Sequence, residues 1–114
     1  MRATAVIVAG IVLAPVAKAS DGAMVMDEVK LCYLEYAQHY GANTCWAPTE
    51  LSGAVMASCA SKEDEMLTAM AEDPRFSAMR YEQRMSLRHK LRREWQPRIE
   101  KAVIDYRIAN SLCR

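Results

Sequence analysis

The sequence predicts an all-α fold: a small three-helix up-down bundle, cross-linked by two disulfides, that follows a cleaved signal peptide. Three observations support this class. Apolar residues recur at intervals of three and four along most of the chain, a spacing typical of amphipathic helices. The alternating pattern of a half-buried strand is not visible over any length. The four cysteines form an even set in a short chain, which indicates a disulfide framework.

Residues 1–19 have the layout of a secretory signal peptide. A short basic start precedes an apolar run over 3–14, and 17–19 read Ala-Lys-Ala, an A-x-A cleavage site. The run is too short for a permanent membrane span, which needs about 20 residues. We therefore expect 20–114 to be one exported, disulfide-stabilised helical domain. An A-x-A cleavage site suits a bacterial exported protein, and the compartment would then be the periplasm.

The first helix is predicted over 23–40. Asp21 is placed to cap its start, and Gly41 is a suitable residue just beyond its C-terminus. Its apolar residues share one stripe that faces the core. The stripe consists of Val25, Val29, Cys32, Tyr36 and Tyr40, and it is widened by Met24, Leu31 and Leu34.

The second helix follows a loop over 41–48. Thr49 is its expected N-cap, with Glu50 in the first turn. Ser61 and Asp64 resemble a capping box, which would divide the segment into two shorter helices. The sequence is interpreted as one helix with a possible kink there. Its inner stripe is predicted to consist of Leu51, Val55, Cys59, Met66, Leu67 and Met70.

The third and longest helix is predicted from Asp73 as N-cap and Pro74 as first helical residue. Pro97 removes a backbone hydrogen bond and clashes with the preceding turn, at a cost of about 3 kcal/mol in a regular helix interior. The apolar stripe keeps its phase across this proline, which favours a kink near Pro97 over a break. The stripe continues through Leu91, Trp95, Ile99 and Val103.

The heights of the cysteines along their helices indicate how the four cysteines pair. In an antiparallel hairpin, Cys32 and Cys59 lie at nearly the same height, at about 1.5 Å of rise per residue. The long third helix then carries Cys113 back toward Cys45 in the loop. The predicted disulfides are Cys32–Cys59 and Cys45–Cys113. The alternative, Cys32–Cys113 with Cys45–Cys59, requires the loop to fold back along the second helix.

No catalytic constellation is visible, and we expect neither an enzyme nor a cofactor. The cysteines are expected to be paired, the chain has only two histidines, and no nucleophile or phosphate-binding motif occurs. Methionine offers one alternative, because thioethers bind Cu(I) outside the cytoplasm. The opposing interpretation is that methionines fill the helical core. The residues concerned are Met24, Met26, Met66 and Met70.

Charge is unevenly distributed along the exported part of the chain. Residues 20–74 contain ten acidic and two basic residues, whereas 75–114 contain eleven basic and four acidic ones. Either the two halves pack against each other, or a basic helix face meets an anionic or acidic partner. The residues predicted to bind such a partner are Arg84, Arg88, Lys90, Arg92 and Arg93.

The expected function is therefore that of a small exported binding protein of the bacterial envelope, without catalysis. Its partner would be a protein or an anionic envelope component such as lipid headgroups. Export makes nucleic acid an unexpected partner, and no permanent membrane anchor is expected. The alternatives are an inhibitor or immunity-type protein that binds one specific enzyme, and a methionine-rich copper-binding protein.

Overall fold

The computed structural model describes residues 22–76 and 78–113, with side chains from residue 25 onward. These residues form an all-α fold without strands, as predicted. The signal peptide predicted for 1–19 lies outside the described residues. The helices are α1 (Gly22–Asn43), α2 (Pro48–Ser58), α3 (Ala60–Glu72) and α4 (Tyr81–Ala109).

The described residues contain four helices rather than three, because the predicted middle helix is divided. The division lies at Cys59, two residues before the possible kink at Ser61. The backbone N–H of Cys59 still donates to the carbonyl of Val55 at 3.0 Å, and its sulfur is bonded to Cys32 of α1. The disulfide thus lies at the junction and fixes both short helices to α1.

The start of α2 also differs from the prediction. The helix begins at Pro48, with Ala47 rather than Thr49 as its N-cap. Pro48 suits the first helical position, because a backbone N–H at that position has no hydrogen-bond partner within the helix and proline loses nothing by lacking it. The backbone N–H of Ala47 donates to the Glu50 carboxylate at 3.3 Å, so Glu50 satisfies a donor at the helix start.

Gly41 does not end α1, which continues to Asn43. No described glycine has positive φ, so Gly41 is not a left-handed cap. Gly41 is buried against α4, where an added Cβ would lie 3.5 Å from Cγ1 of Val103. The residue lets two helices approach closely, and the prediction of a C-terminal role was wrong.

The last helix begins at Tyr81 rather than at Pro74. Asp73 instead lies in the connection before it. Its carboxylate accepts a hydrogen bond from the backbone N–H of Arg75 at 2.9 Å and forms an ion pair with the Arg75 guanidinium at 2.9 Å. From Tyr81 the helix runs without a break through Pro97 to Ala109. A bend at Pro97 stays a prediction.

The core lies between α1 and the other three helices, and each of those three packs against α1. Its members are apolar residues that recur mostly every three or four positions, which confirms most of the inner stripes. On α1 the prediction was wrong for Leu31 and Tyr36, which are exposed, and it missed Tyr33 and Ala37, which are fully buried. They are Val25, Val29, Cys32, Tyr33, Ala37, Leu51, Val55, Cys59, Met66, Met70, Leu91, Ile99 and Val103.

Two disulfides cross-link these helices, as predicted. Cys32 and Cys59 have Cα atoms 6.0 Å apart, and those of Cys45 and Cys113 are 5.4 Å apart. The first bond is buried between α1 and the α2–α3 junction, whereas both cysteines of the second are exposed. The second bond holds the loop after α1 against the end of α4.

Candidate functional site

The five basic residues predicted to bind a partner lie on two different faces of α4. Arg84, Arg88 and Arg92 follow one edge of the helix at a spacing of four residues, as expected for a helical row. Two of them turn inward, since the side chain of Arg88 is 14% exposed and that of Arg92 is 30% exposed. Both reach the same acidic residue on α3.

Glu63 is that acidic residue, and its side chain is completely buried. Nε of Arg88 donates to Oε1 at 3.0 Å, and Nε of Arg92 donates to Oε2 at 2.9 Å. A second nitrogen of Arg92 also donates to Oε1, and the Tyr33 hydroxyl donates to Oε2. One carboxylate therefore joins α1, α3 and α4, and both of its oxygens are saturated with donors.

The second guanidinium edge of Arg88 extends this network to the surface. Nη1 of Arg88 lies 3.1 Å from Oδ1 of Asp64, whose side chain is 66% exposed. Arg88 thus bridges a buried and an exposed carboxylate on neighbouring positions of α3. This arrangement agrees with the prediction in which the acidic half of the chain packs against the basic half.

Burial and charge act in opposite directions on these ionisable groups. Burial alone would raise the pKa of Glu63, but hydrogen bonds from Arg92 and Tyr33 and the charges of Arg92 and Arg88 hold it below its usual value. Burial and the hydrogen bond to Glu63 raise the pKa of Tyr33. The hydrogen bond to Glu63 raises the pKa of Arg92. Glu63 is therefore a charged structural anchor and not a proton donor at neutral pH.

Arg84, the first residue of the row, has a different environment. Its Nη1 donates to the backbone carbonyl of Met79 at 2.6 Å, which ties the start of α4 to the preceding connection. Within 22–76 and 78–113, no carboxylate forms an ion pair with Arg84. The guanidinium is half-buried beside a groove between α3 and α4.

Lys90 and Arg93 are exposed on the side of α4 that faces away from the core. They belong to a longer row of exposed residues spaced by three or four, which we call the α4 solvent face. Its first half is basic and its second half is apolar, apart from Lys101, which pairs with Asp105. The α4 solvent face consists of Lys90, Arg93, Pro97, Lys101, Ile104 and Ile108.

The two isoleucines of this face were not predicted as site residues. Ile104 is 44% exposed and Ile108 is 71% exposed, although large aliphatic side chains usually lie inside. A signal was present, since the two are four residues apart and out of phase with the inner stripe of Ile99 and Val103. Trp46 is also 62% exposed, and the Cys45–Cys113 bond holds its backbone near this end of α4.

Met26, Met66 and Met70, three of the methionines proposed as thioether ligands, lie in the hydrophobic core or pack against it. Met66 and Met70 are fully buried in the core, where they pack as apolar side chains. The side chain of Met24 lies outside the described part of the structure. In the residues described, no three His, Cys, Asp or Glu side chains are grouped to hold a metal ion.

None of the described helices is both long enough and apolar enough to cross a membrane. The chain matches no protein-family description, no curated protein and no solved structure.

Proposed function

We propose that this protein is an exported binding protein of the bacterial envelope that acts without catalysis and docks an acidic partner protein through the α4 solvent face. The two disulfides support an oxidising compartment, because such bonds persist outside the cytosol. The observation that carries the proposal is the combination of exposed cations and exposed isoleucines in one row on one helix.

The composition of this row favours a protein partner over a purely electrostatic one. A face that only had to be solvated would not expose Ile104 and Ile108 together. Lys90 and Arg93 supply charge that steers an acidic surface toward the helix, and the isoleucines supply apolar area that is desolvated on contact. Helix faces of this kind commonly insert into grooves of a partner.

The row is presented by a rigid support. The opposite side of α4 is fixed by the buried Glu63 network, and its C-terminal end is held by the exposed disulfide. Arg107 adds two hydrogen bonds, from Nε to the Gly41 carbonyl at 3.2 Å and from Nη2 to the Thr44 carbonyl at 2.8 Å. A preorganised face loses little conformational entropy on binding.

Capture from a periplasmic extract tests the proposal. We expect one acidic protein to be recovered in stoichiometric amount by the wild type, and to be lost with Arg93→Glu and with Ile108→Glu. The matched controls are Arg80→Glu and Leu31→Glu, which place the same charge changes at exposed positions outside the α4 solvent face. Leu31 is 59% exposed, so its substitution is comparable to that of Ile108.

Two outcomes would contradict the proposed function. One is capture that survives Arg93→Glu and Ile108→Glu but is lost in a control variant. The other is recovery of anionic vesicles in place of any stoichiometric protein, with binding that disappears as salt is raised, which would indicate a lipid surface as partner. If the captured protein is an enzyme whose activity falls on binding, the alternative function is supported, in which this protein is an inhibitor or immunity-type protein of that enzyme.

A further inference from the structure

The groove between α3 and α4 combines apolar side chains with an arginine, and the packing of α4 in the bundle does not explain this combination. It is an open depression of about 420 Å³, within the range of about 300–1,000 Å³ that small-molecule sites occupy. Leu67 and Ala71 of α3 and Met85 of α4 line it with apolar surface. Tyr81, which is 66% exposed, and the half-buried Arg84 complete the wall from α4.

Arg84 is the feature that distinguishes this groove from an ordinary surface furrow. The two arginines that follow it at intervals of four both pair with Glu63, and Arg88 also pairs with Asp64, whereas Arg84 has no acidic partner within the described residues. Its bond to the Met79 carbonyl uses Nη1 and orients the guanidinium. Within residues 22–76 and 78–113, its remaining N–H donors have no hydrogen-bond acceptor.

The charges along the groove determine where an anion would sit. At one end, the Asp64 carboxylate already pairs with Arg88 at 3.1 Å and would repel a second anion. Arg84 lies one helical turn before Arg88 on α4, away from that carboxylate. A negatively charged group is therefore favoured at Arg84, while an apolar chain is favoured over Leu67 and Met85.

We propose that this groove binds a small aliphatic carboxylate, with the carboxylate paired to the Arg84 guanidinium and the hydrocarbon chain packed on Leu67, Ala71 and Met85. The pairing has the planar geometry that guanidinium and carboxylate groups share. The site is separate from the α4 solvent face, so it does not depend on the proposed function. Tyr81 at the rim provides further contact area for the chain.

Titration of the full-length exported chain with octanoate, followed by NMR of the Leu67 and Met85 methyl groups, tests this site. We expect saturable shifts at both methyl groups. Octanol, which has the same chain length without the charge, should bind at least about tenfold more weakly, because a hydrogen bond to a charged group contributes about 1.5–3 kcal/mol. No saturable shifts with octanoate, or equal affinity for octanol, would overturn the proposal.

Three variants separate the carboxylate contact from general effects on the fold. Arg84→Gln should weaken octanoate at least about tenfold while leaving octanol unchanged, for the same reason. Ala71→Glu keeps Arg84 in place and adds a competing carboxylate at an exposed position in the groove, and it should weaken octanoate equally. Arg93→Gln, on the α4 solvent face, should have no effect on octanoate.

The reverse pattern would overturn the inference. If Arg84→Gln and Ala71→Glu bind octanoate as the wild type does, the guanidinium does not recognise the carboxylate. If Arg93→Gln weakens octanoate as much as Arg84→Gln, the attraction is a general effect of positive charge. Loss of periplasmic partner capture in Arg93→Glu with octanoate binding retained would leave both proposals standing independently.

Discussion

Glu63 shows how a single carboxylate organises this bundle. It lies in the charged run from Lys62 to Glu65, where exposure to solvent would be usual, yet its side chain is fully buried. Two guanidinium groups and one hydroxyl surround it, so that the cost of removing its charge from water is offset by donors on every side. Neutralising it therefore has consequences for residues on three helices.

We expect Glu63→Gln to lower the free energy of unfolding by about 3–5 kcal/mol, because it leaves Arg92 without a charge partner among the described residues and leaves Arg88 with the exposed Asp64 alone. The matched control is Glu65→Gln, because the Glu65 side chain is 57% exposed and, among the described residues, pairs only with Lys62. The control should change stability by less than about 1 kcal/mol. Urea denaturation of the three proteins at neutral pH measures both values, and equal losses would contradict the buried network.

The same residue predicts a dependence of stability on pH. Because the folded-state pKa of Glu63 lies below its unfolded value, the unfolded chain takes up the proton more readily. The contribution of Glu63 is fully present above the unfolded pKa of about 4.3 and is lost as pH falls through the lower folded pKa. The difference in unfolding free energy between wild type and Glu63→Gln should therefore narrow below about pH 4. A difference that stays constant from pH 7 to pH 3 would argue against an ionised Glu63.

At the scale of helices, Gly41 marks the contact between α1 and α4. We expect Gly41→Ala to be neutral or to raise stability by up to about 1 kcal/mol, because alanine is the better helix former and its Cβ would make an ordinary contact with Val103. Gly53→Ala, where nothing lies within 4 Å of an added Cβ, shows the gain without any neighbour. Thermal unfolding compares the two variants, and a clear loss of stability in Gly41→Ala alone would indicate that the contact between α1 and α4 is too close for a Cβ at this position.

The two disulfides of the described chain differ in access. We expect a mild thiol reductant to open Cys45–Cys113 first, because both of its cysteines are exposed, whereas Cys59 is fully buried and Cys32 nearly so. Alkylation at timed intervals, followed by peptide mapping, measures the order. Early labelling of Cys32 or Cys59 would contradict the placement of that bond inside the bundle.

Helix type and disulfide pairing were predictable because they follow from local spacing and from the rise of a helix. The division at Cys59 was not located, since no helix-breaking residue stands there. The burial of Glu63 was missed although a signal existed: Glu63 lies four residues after Cys59 and three before Met66, in phase with the inner stripe. Its partners on α4 are 25 and 29 residues away, which no local pattern relates to it.

The candidate site was predictable only in part for a similar reason. The basic row on α4 was evident in the sequence, but spacing alone does not say which of two adjacent helix edges packs against α3. Arg88 and Arg92 face Glu63, whereas Lys90 and Arg93 face solvent, although all four lie within six consecutive residues. The basic residues of α4 thus fall into two sets that differ in burial. Arg88 and Arg92 form ion pairs with the buried Glu63, and Lys90 and Arg93 are exposed to solvent.

For the molecule as a whole, α4 has a structural side and a proposed binding side. The structural side holds the buried ion pairs and the core contacts of Leu91, Ile99 and Val103. The proposed binding side is the α4 solvent face, which no described segment covers. We expect binding of the partner to weaken as salt is raised but to persist in part, since Ile104 and Ile108 contribute apolar area that salt does not screen.

The footprint of the captured partner on isotope-labelled protein tests this division most directly. Upon addition of the purified partner, NMR signals of Lys90, Arg93, Lys101, Ile104 and Ile108 should shift, while the guanidinium Nε signals of Arg88 and Arg92 should stay unchanged. Shifts confined to Arg88 and Arg92, with the α4 solvent face unaffected, would contradict the account.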